Sequence, residues 1–465
     1  MKRNWMAIGL TATMAAGLLA GCGSSDSGSS AATTAATSAA TAETSSSAQT
    51  ESTEENTGST ENTESTESSS SGDSVELTVW SWDKNFNGVA FEEADKLDDD
   101  VTINFVEMSK ADCLQKIQTV LASGSTEGLP DIVTISDLNA QGYLMSYPDA
   151  FLPVDDYINY DDFASYKKDY VSYDGTGYGV PFDTGVAAMF YRSDYIEEAG
   201  YTDEDMQNLT WDSYAELGEK LKEKGHYLQT FNPNDVSNMQ ITLQSCGSWF
   251  TDDDGKANFV NNDALKESYR LFKEFNESDF VYPVSDWNGF AGAINGGDVA
   301  CVIRGSWITS TIKAGTDQSG LWKMAPIPKL DGVEGATQRS NQGGSSIYVI
   351  ANAPHAKQAA EFLAKTFAGS TELYNTLLST ANIMGTYLPA STDEAYDEED
   401  EFFSGQQINK TLASWIDEIP EVNPGAYSAE AQSALLSVTP DILNGSDLET
   451  SLESAEEQFN ATVQE

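Results

Sequence analysis

The side chains able to do chemistry are unevenly supplied in this chain. It carries 74 Asp and Glu against 24 Lys and Arg, but only two histidines, His226 and His355, and four cysteines. Both histidines stand alone in polar segments, which leaves little material for a His-based triad or a metal site. No G-x-S-x-G elbow, H-E-x-x-H pair or phosphate-binding Walker loop occurs. The nearest approach to the last, DGKAN, lacks the first glycine and the hydroxyl residue. DDDGKANF (252–259) has the look of a calcium loop, yet Phe250 falls where the first aspartate should stand and Asn261 where the glutamate should. A tight turn between two short strands is expected there instead. A carboxylate pair for glycoside hydrolysis can be drawn almost anywhere in so acidic a chain, so no single pair carries weight. Cys113, Cys246 and Cys301 are far apart and form no C-x-x-C pair. They suit small buried hydrophobes, with one disulfide at most. What remains is an ample aromatic supply, including nine tryptophans.

Those aromatics and carboxylates have to be placed by regular elements. VELTVWSW (75–82) alternates Val75, Leu77 and Val79 as a strand does. A polar helical stretch follows, then VTINFVEM (101–108). KADCLQKIQTVLASGS then puts Leu114, Ile117 and Leu121 on one helical face, and PDIVTISD (130–137) reads as a third strand. Strand, helix, strand, helix, strand implies βαβ units on a parallel sheet, whose ligands bind beyond the carboxyl ends of the strands. Trp80, Trp82 and Asp83 stand at one such end and Asp137 at another. Further helices are expected at 210–225, with Thr210 as its cap, at 356–368, and from Leu448 to the end.

The first residues are of another kind. Lys2 and Arg3 precede an apolar run from Ile8 to Ala20, closed by Gly21 and Cys22. This is the pattern of a secretory leader, too short to count as a spanning helix. Leu19-Ala20-Gly21-Cys22 is similar to the lipobox of bacterial lipoproteins, which implies that 1–21 is removed and that Cys22 carries acyl chains. The stretch from Cys22 to residue 73, mostly Ser, Thr, Ala, Gly and Glu, buries too little apolar surface to offset its ordering entropy. It is expected to be a flexible tether reaching on the order of 40 Å. About 390 residues of ordinary globular composition then remain, more than one core comfortably supports, so two domains are expected. The formal charge of -50 repels phosphate backbones and anionic lipid headgroups, which argues against nucleic acid as a partner.

Four blocks together carry a resemblance. VPFDTGVAAMFYRSDYIEEAG (180–200), TWDSYAELGEKL (210–221), GDVACVIRGSW (297–307) and SNQGGSSIYVIANAPHAKQAAEFLAKTF (340–367) stand in this order behind the lipobox. They resemble the extracellular solute-binding proteins of ABC importers, in the sugar-binding group that includes maltose-binding protein. Cys301 departs from the methionine common in the third block, and Tyr348 from the tryptophan frequent in the fourth. The resemblance implies an α/β, two-lobed, periplasmic-binding-protein-like fold with a hinge and a central cleft. Lobe 1 would comprise 74–183 and 343–380, and lobe 2 would comprise 184–342 and 381–465. It implies no cofactor and no metal. The partners would be a carbohydrate, the permease subunits of a transporter with a separate ATPase, and the outer face of a bacterial membrane reached through the lipid anchor, with the receptor itself a monomer.

A sugar cleft suits the residues at hand. Pyranose rings stack their C–H faces on flat aromatic rings, while their hydroxyls need directional partners, of which charged ones are the strongest. The candidates are Trp80, Trp82, Asp83, Asp137, Asp183, Trp249, Trp287, Arg304, Trp307 and Tyr387, with Gly343 and Gly344 letting backbone approach the ligand or serving the hinge. Core packing competes for every tryptophan, turn capping for the aspartates and an inter-lobe ion pair for Arg304. Packing is the expected role of Trp211, Trp322 and Trp415. Two other functions stay open at this point. One is a surface glycan hydrolase, which would release product from polysaccharide; the other is a receptor for a peptide or polyamine.

Overall fold

The computed structural model describes residues 74–463 except 125, 126, 253 and 393. The leader, Cys22 and the tether through residue 73 lie outside the described residues. Two sheets organise the fold, built from β1 (Val75–Ser81), β2 (Val101–Glu107), β3 (Ile132–Ser136), β4 (Gly179–Pro181), β5 (Ala187–Arg192), β6 (Cys301–Gly305), β7 (Trp322–Ala325) and β8 (Ser345–Val349). The first has the order β2-β1-β3-β8-β4 and the second β6-β5-β7. β1 runs parallel to β2 and β3, as the alternation of strand and helix implies. β8 is antiparallel to both β3 and β4, and β5 to both of its neighbours.

Side-chain alternation divides the first sheet between two cores. Leu77, Val79, Ile132, Ile347 and Val349 pack on one face, and Trp80, Val133, Ile135, Tyr348 and Ile350 on the other. With helices on both faces, β3 has no solvent side and every residue of it is buried. A third core surrounds β5, whose six residues are likewise all buried. Helix Trp211–Lys224 joins that core through Trp211, Tyr214, Leu217 and Leu221. Its start is fixed by a reciprocal pair: Thr210 accepts from the Ser213 amide, and the Ser213 side chain accepts from the Thr210 amide. Between residues 381 and 390 the chain serves both sides, since Ile383 and Ala390 pack under the first sheet and Met384 joins the third core, around β5.

Two expectations need correcting. Asp137 opens helix Asp137–Ser146 and does not end β3. The 252–259 segment is a turn closed by the isolated bridge Thr251–Ala257 and is not flanked by strands. Cys113, Cys246 and Cys301 are free thiols, the first and last fully buried. Among the described residues no helix is long and apolar enough to cross a membrane.

The chain passes between the sheets at 183–186 and again at 340–344, and the two passes pair at Val186–Asn341. Asn341 Oδ1 accepts from the Gly185 amide at 2.9 Å and from Thr184 Oγ1 at 3.1 Å. A third pass pairs Asp183 with Gly385. Gly185 has no room for a side chain, because a Cβ there would overlap the Gln342 carbonyl. Gly185→Ala is therefore expected to lower stability by about 1–3 kcal/mol through forced backbone movement. A fall in the urea midpoint at unchanged slope is the measurement.

Candidate ligand-binding site

At the carboxyl end of β3 two of the three candidate aspartates, Asp137 and Asp183, are drawn inward. Asp137 is 2% exposed and accepts from Lys167 Nζ at 2.5 Å and from Ser346 Oγ at 2.8 Å. The Lys167 ammonium, itself 0% exposed, also donates to the carbonyls of Asp183 at 2.9 Å and Ser345 at 3.1 Å. Asp183 accepts from the Ser345 amide at 2.7 Å and from its hydroxyl. Gly344 threads past this cluster at φ 110°, where a Cβ would collide with the Asp137 carboxylate. The carboxylates brace the crossover and are occupied by internal partners.

Burial pushes the Asp183 carboxyl above its ordinary 3.8, although Lys167 and the Ser345 hydrogen bonds pull it back. A raised folded value means that the unfolded chain ionises first. The contribution of Asp183 to stability is thus greatest in acid and is lost as pH rises from about 3.8 through the raised value. Asp183→Asn should flatten that part of the profile, with urea midpoints at pH 4 and pH 7 lying closer together than in the parent.

Trp80 lies in the core beneath the Lys116 ammonium, 3.7 Å from its ring centre. Trp82 is half-buried with Lys110 Nζ 5.6 Å from its ring. Asp83 is exposed at φ 55° and caps the short turn Lys84–Gly88 by accepting from the Asn85 amide. A cavity of about 530 Å³ of empty space opens at this end, bordered by Lys110, Ser136, Asn139, Gly343, Gly344 and the start of helix Ser428–Leu443. Lys110 is open to solvent there yet crowded by protein; that crowding pushes its ammonium down from 10.5, while Asp183 and Asp137 push it back up.

A larger cavity, about 990 Å³ of empty space including its open mouth, lies beside the second sheet. Here Trp287, Arg304 and Trp307 meet. Trp287 opens helix Trp287–Asn295, which Asp286 caps by accepting from the Gly289 amide at 2.9 Å. It is 52% exposed, the one large hydrophobic side chain left so open among the described residues. Its ring centre is 6.0 Å from that of Trp307 and 5.1 Å from that of Phe290, with tilts of 40° and 33°. Arg304, at the end of β6, reaches Asp235 at 2.6 Å and Asn238 at 2.8 Å, and its guanidinium lies 5.0 Å from the Phe290 ring centre. Trp307 Nε1 donates to the Gln342 carbonyl at 2.9 Å. An aromatic shelf thus adjoins a compensated ion pair whose outward groups can donate to and accept from hydroxyls, without a net charge to demand a charged ligand.

Residues 88–405 match the family described as bacterial extracellular solute-binding protein. The chain belongs to that family. It is 41% identical to the lactose-binding protein of Rhizobium radiobacter over 394 residues, which cover 84% of this chain and 93% of the relative. It is 25% identical over 366 residues to the arabinooligosaccharide-binding protein of Halalkalibacterium halodurans, covering 74% of this chain and 79% of that one. The fold matches the galacto-N-biose-/lacto-N-biose I-binding protein of the ABC transporter from Bifidobacterium longum, in complex with lacto-N-biose, with a TM-score of 0.68 at 20% identity. That match covers 85% of this chain and 98% of the other.

In this solute-binding protein some expected residues stay away from both cavities. Trp249 is 4% exposed, packed in the core, and donates from Nε1 to Ser428 Oγ at 2.8 Å. Tyr387 lies between Tyr374 and Phe163 at ring separations of 5.7 and 5.5 Å. Trp322 and Trp415 are buried as expected, and Trp211 is buried yet also lines the larger cavity. Asp235, Asn238 and Gln342 were not among the expected residues. Asp235 and Asn238 belong to NPNDVSN, which reads in sequence as an ordinary polar turn before a helix.

Proposed function

We propose that this chain is the sugar receptor of an ABC importer, taking a neutral di- or oligosaccharide, in first place a galactoside such as lactose. The observation that carries the reading is the shelf of Trp287, Trp307 and Phe290 beside the Arg304–Asp235 pair. An apolar sugar face gains burial on the shelf, and the fixed polar groups beside it select hydroxyl positions. The 41% identical relative named for lactose supports the galactoside, and the relative named for arabinooligosaccharide supports longer chains.

The lobes, 74–183 with 343–380 and 184–342 with 381–465, would close over the sugar by rotation at the paired passes. The closed monomer would then deliver it to permease subunits driven by a separate ATPase. Cys22 would hold the lipid that keeps the receptor on the outer face of the membrane, with 23–73 as its tether. Mass spectrometry of the mature protein should find acyl chains on an N-terminal Cys22, and an unmodified or different N-terminus would remove the tether from this account.

A thermal-shift screen tests the central claim with neutral di- and trisaccharides, including lactose and an arabinotriose. A ligand present at about 100 times its Kd stabilises the folded state by about 2.7 kcal/mol, enough to raise the melting temperature visibly. No upward shift with any member of the panel overturns the sugar reading.

A further inference from the structure

We propose that Gln342 couples occupancy of the larger cavity to lobe closure, contacting the ligand with its side-chain amide and holding the crossover with its other polar groups. The inference rests on the sugar-receptor reading. Gln342 lines the cavity and lies on the 340–344 pass. Its amide N–H donates to the Gly185 carbonyl at 2.7 Å, on the neighbouring pass. Its own carbonyl accepts from Trp307 Nε1 at 2.9 Å, and its side-chain Oε1 accepts from the Gly305 amide at 3.1 Å. One residue therefore ties together the first pass, the end of β6 and the aromatic shelf.

The space around it has the same sense. A Cβ at Gly185 or at Gly305 would overlap the Gln342 carbonyl, so both glycines leave room for this one group. The contact to Gly305 occupies the oxygen end of the side-chain amide, which leaves Nε2 as the end with a donor to offer in the cavity that Gln342 lines. A donor so placed, beside the shelf and joined to it through Trp307, can meet a hydroxyl of a sugar stacked on Trp287. A sugar that engages it then pulls on the two bridged passes, about which the lobes would rotate on closing. Occupancy and closure share one residue, which is what coupling between a site and a hinge requires.

Three versions of the full mature chain test this: the parent, Gln342→Glu and Trp307→Phe. The first variant keeps the acceptor for Gly305 and removes the Nε2 donor; the second keeps an aromatic ring and removes the link to the crossover. The probe is lactose, or the saccharide of the panel that the parent binds best. Tryptophan fluorescence reads occupancy of the shelf, and small-angle scattering reads closure. For Gln342→Glu, affinity should fall about tenfold, the loss of one hydrogen bond, and saturating sugar should still change the fluorescence without contracting the molecule. Trp307→Phe should likewise bind without contracting, while its urea midpoint without sugar shows that it is folded. Contraction equal to the parent's in Gln342→Glu overturns the coupling and leaves the sugar reading standing. If the parent itself binds no saccharide, the sugar reading falls and this inference falls with it.

Discussion

Lys167→Met is expected to cost about 3–5 kcal/mol of folding stability, the range for breaking a buried ion pair from one side. The methionine fills much the same volume, so lost packing is a minor part of the effect. The larger part is what stays behind. Asp137, 2% exposed, would keep Ser346 Oγ as its one side-chain donor among the described residues, and the carbonyls of Asp183 and Ser345 would lose the ammonium that serves them both. A carboxylate without a counter-charge in that position must take up a proton or draw in water, and either disturbs the end of β3. Removing the negative charge as well should restore part of the loss, so Lys167→Met with Asp137→Asn is expected to be more stable than Lys167→Met alone. Urea denaturation at pH 7 measures both. If the second substitution only adds to the damage, the cost lies in packing and the electrostatic account of this cluster is wrong.

The same lysine shows why the site was less legible than the fold. Leu77 and Val79 alternate in the sequence because a sheet face has to be covered, and Thr210 precedes its helix because the first amides need an acceptor. Those causes act within a few residues and leave local patterns. Lys167 and Lys168 are neighbours in SYKKDYV, yet one is wholly buried and the other exposed. Nothing within reach along the chain separates them. Asp137 and Asp183 were therefore expected at a ligand, because the cation that engages them was not visible as a partner. Arg304 meets Asp235 across 69 positions, and Gln342 reaches Gly305 across 37. Such pairs exist only once the crossings are built. Arg304 and Trp307 stand in a block that carries the resemblance and Trp287 does not, yet the three line one cavity, whereas Trp249 looked equivalent in sequence and packs in the core.

Trp287→Ala is expected to weaken sugar binding about 30- to 150-fold, the effect of truncating an aromatic anchor worth about 2–3 kcal/mol. Without sugar the change should be close to silent, within about 0.5 kcal/mol, because a side chain 52% exposed contributes little to the core. That separation makes Trp287 the cleaner probe of the pair. Trp307 also holds the Gln342 carbonyl, so Trp307→Ala should lower affinity and stability together. Trp287→Tyr keeps a flat ring on the same helix and should recover most of the affinity, as expected if the contact is stacking on a sugar face. Trp249→Phe is the control from the opposite side. It removes the hydrogen bond to Ser428 and some core volume, and should lower the urea midpoint while leaving affinity unchanged. Isothermal titration with the best saccharide of the panel decides the matter. Parent-like affinity in Trp287→Ala would mean that this exposed ring serves something other than the sugar, and the shelf would lose its place in the mechanism.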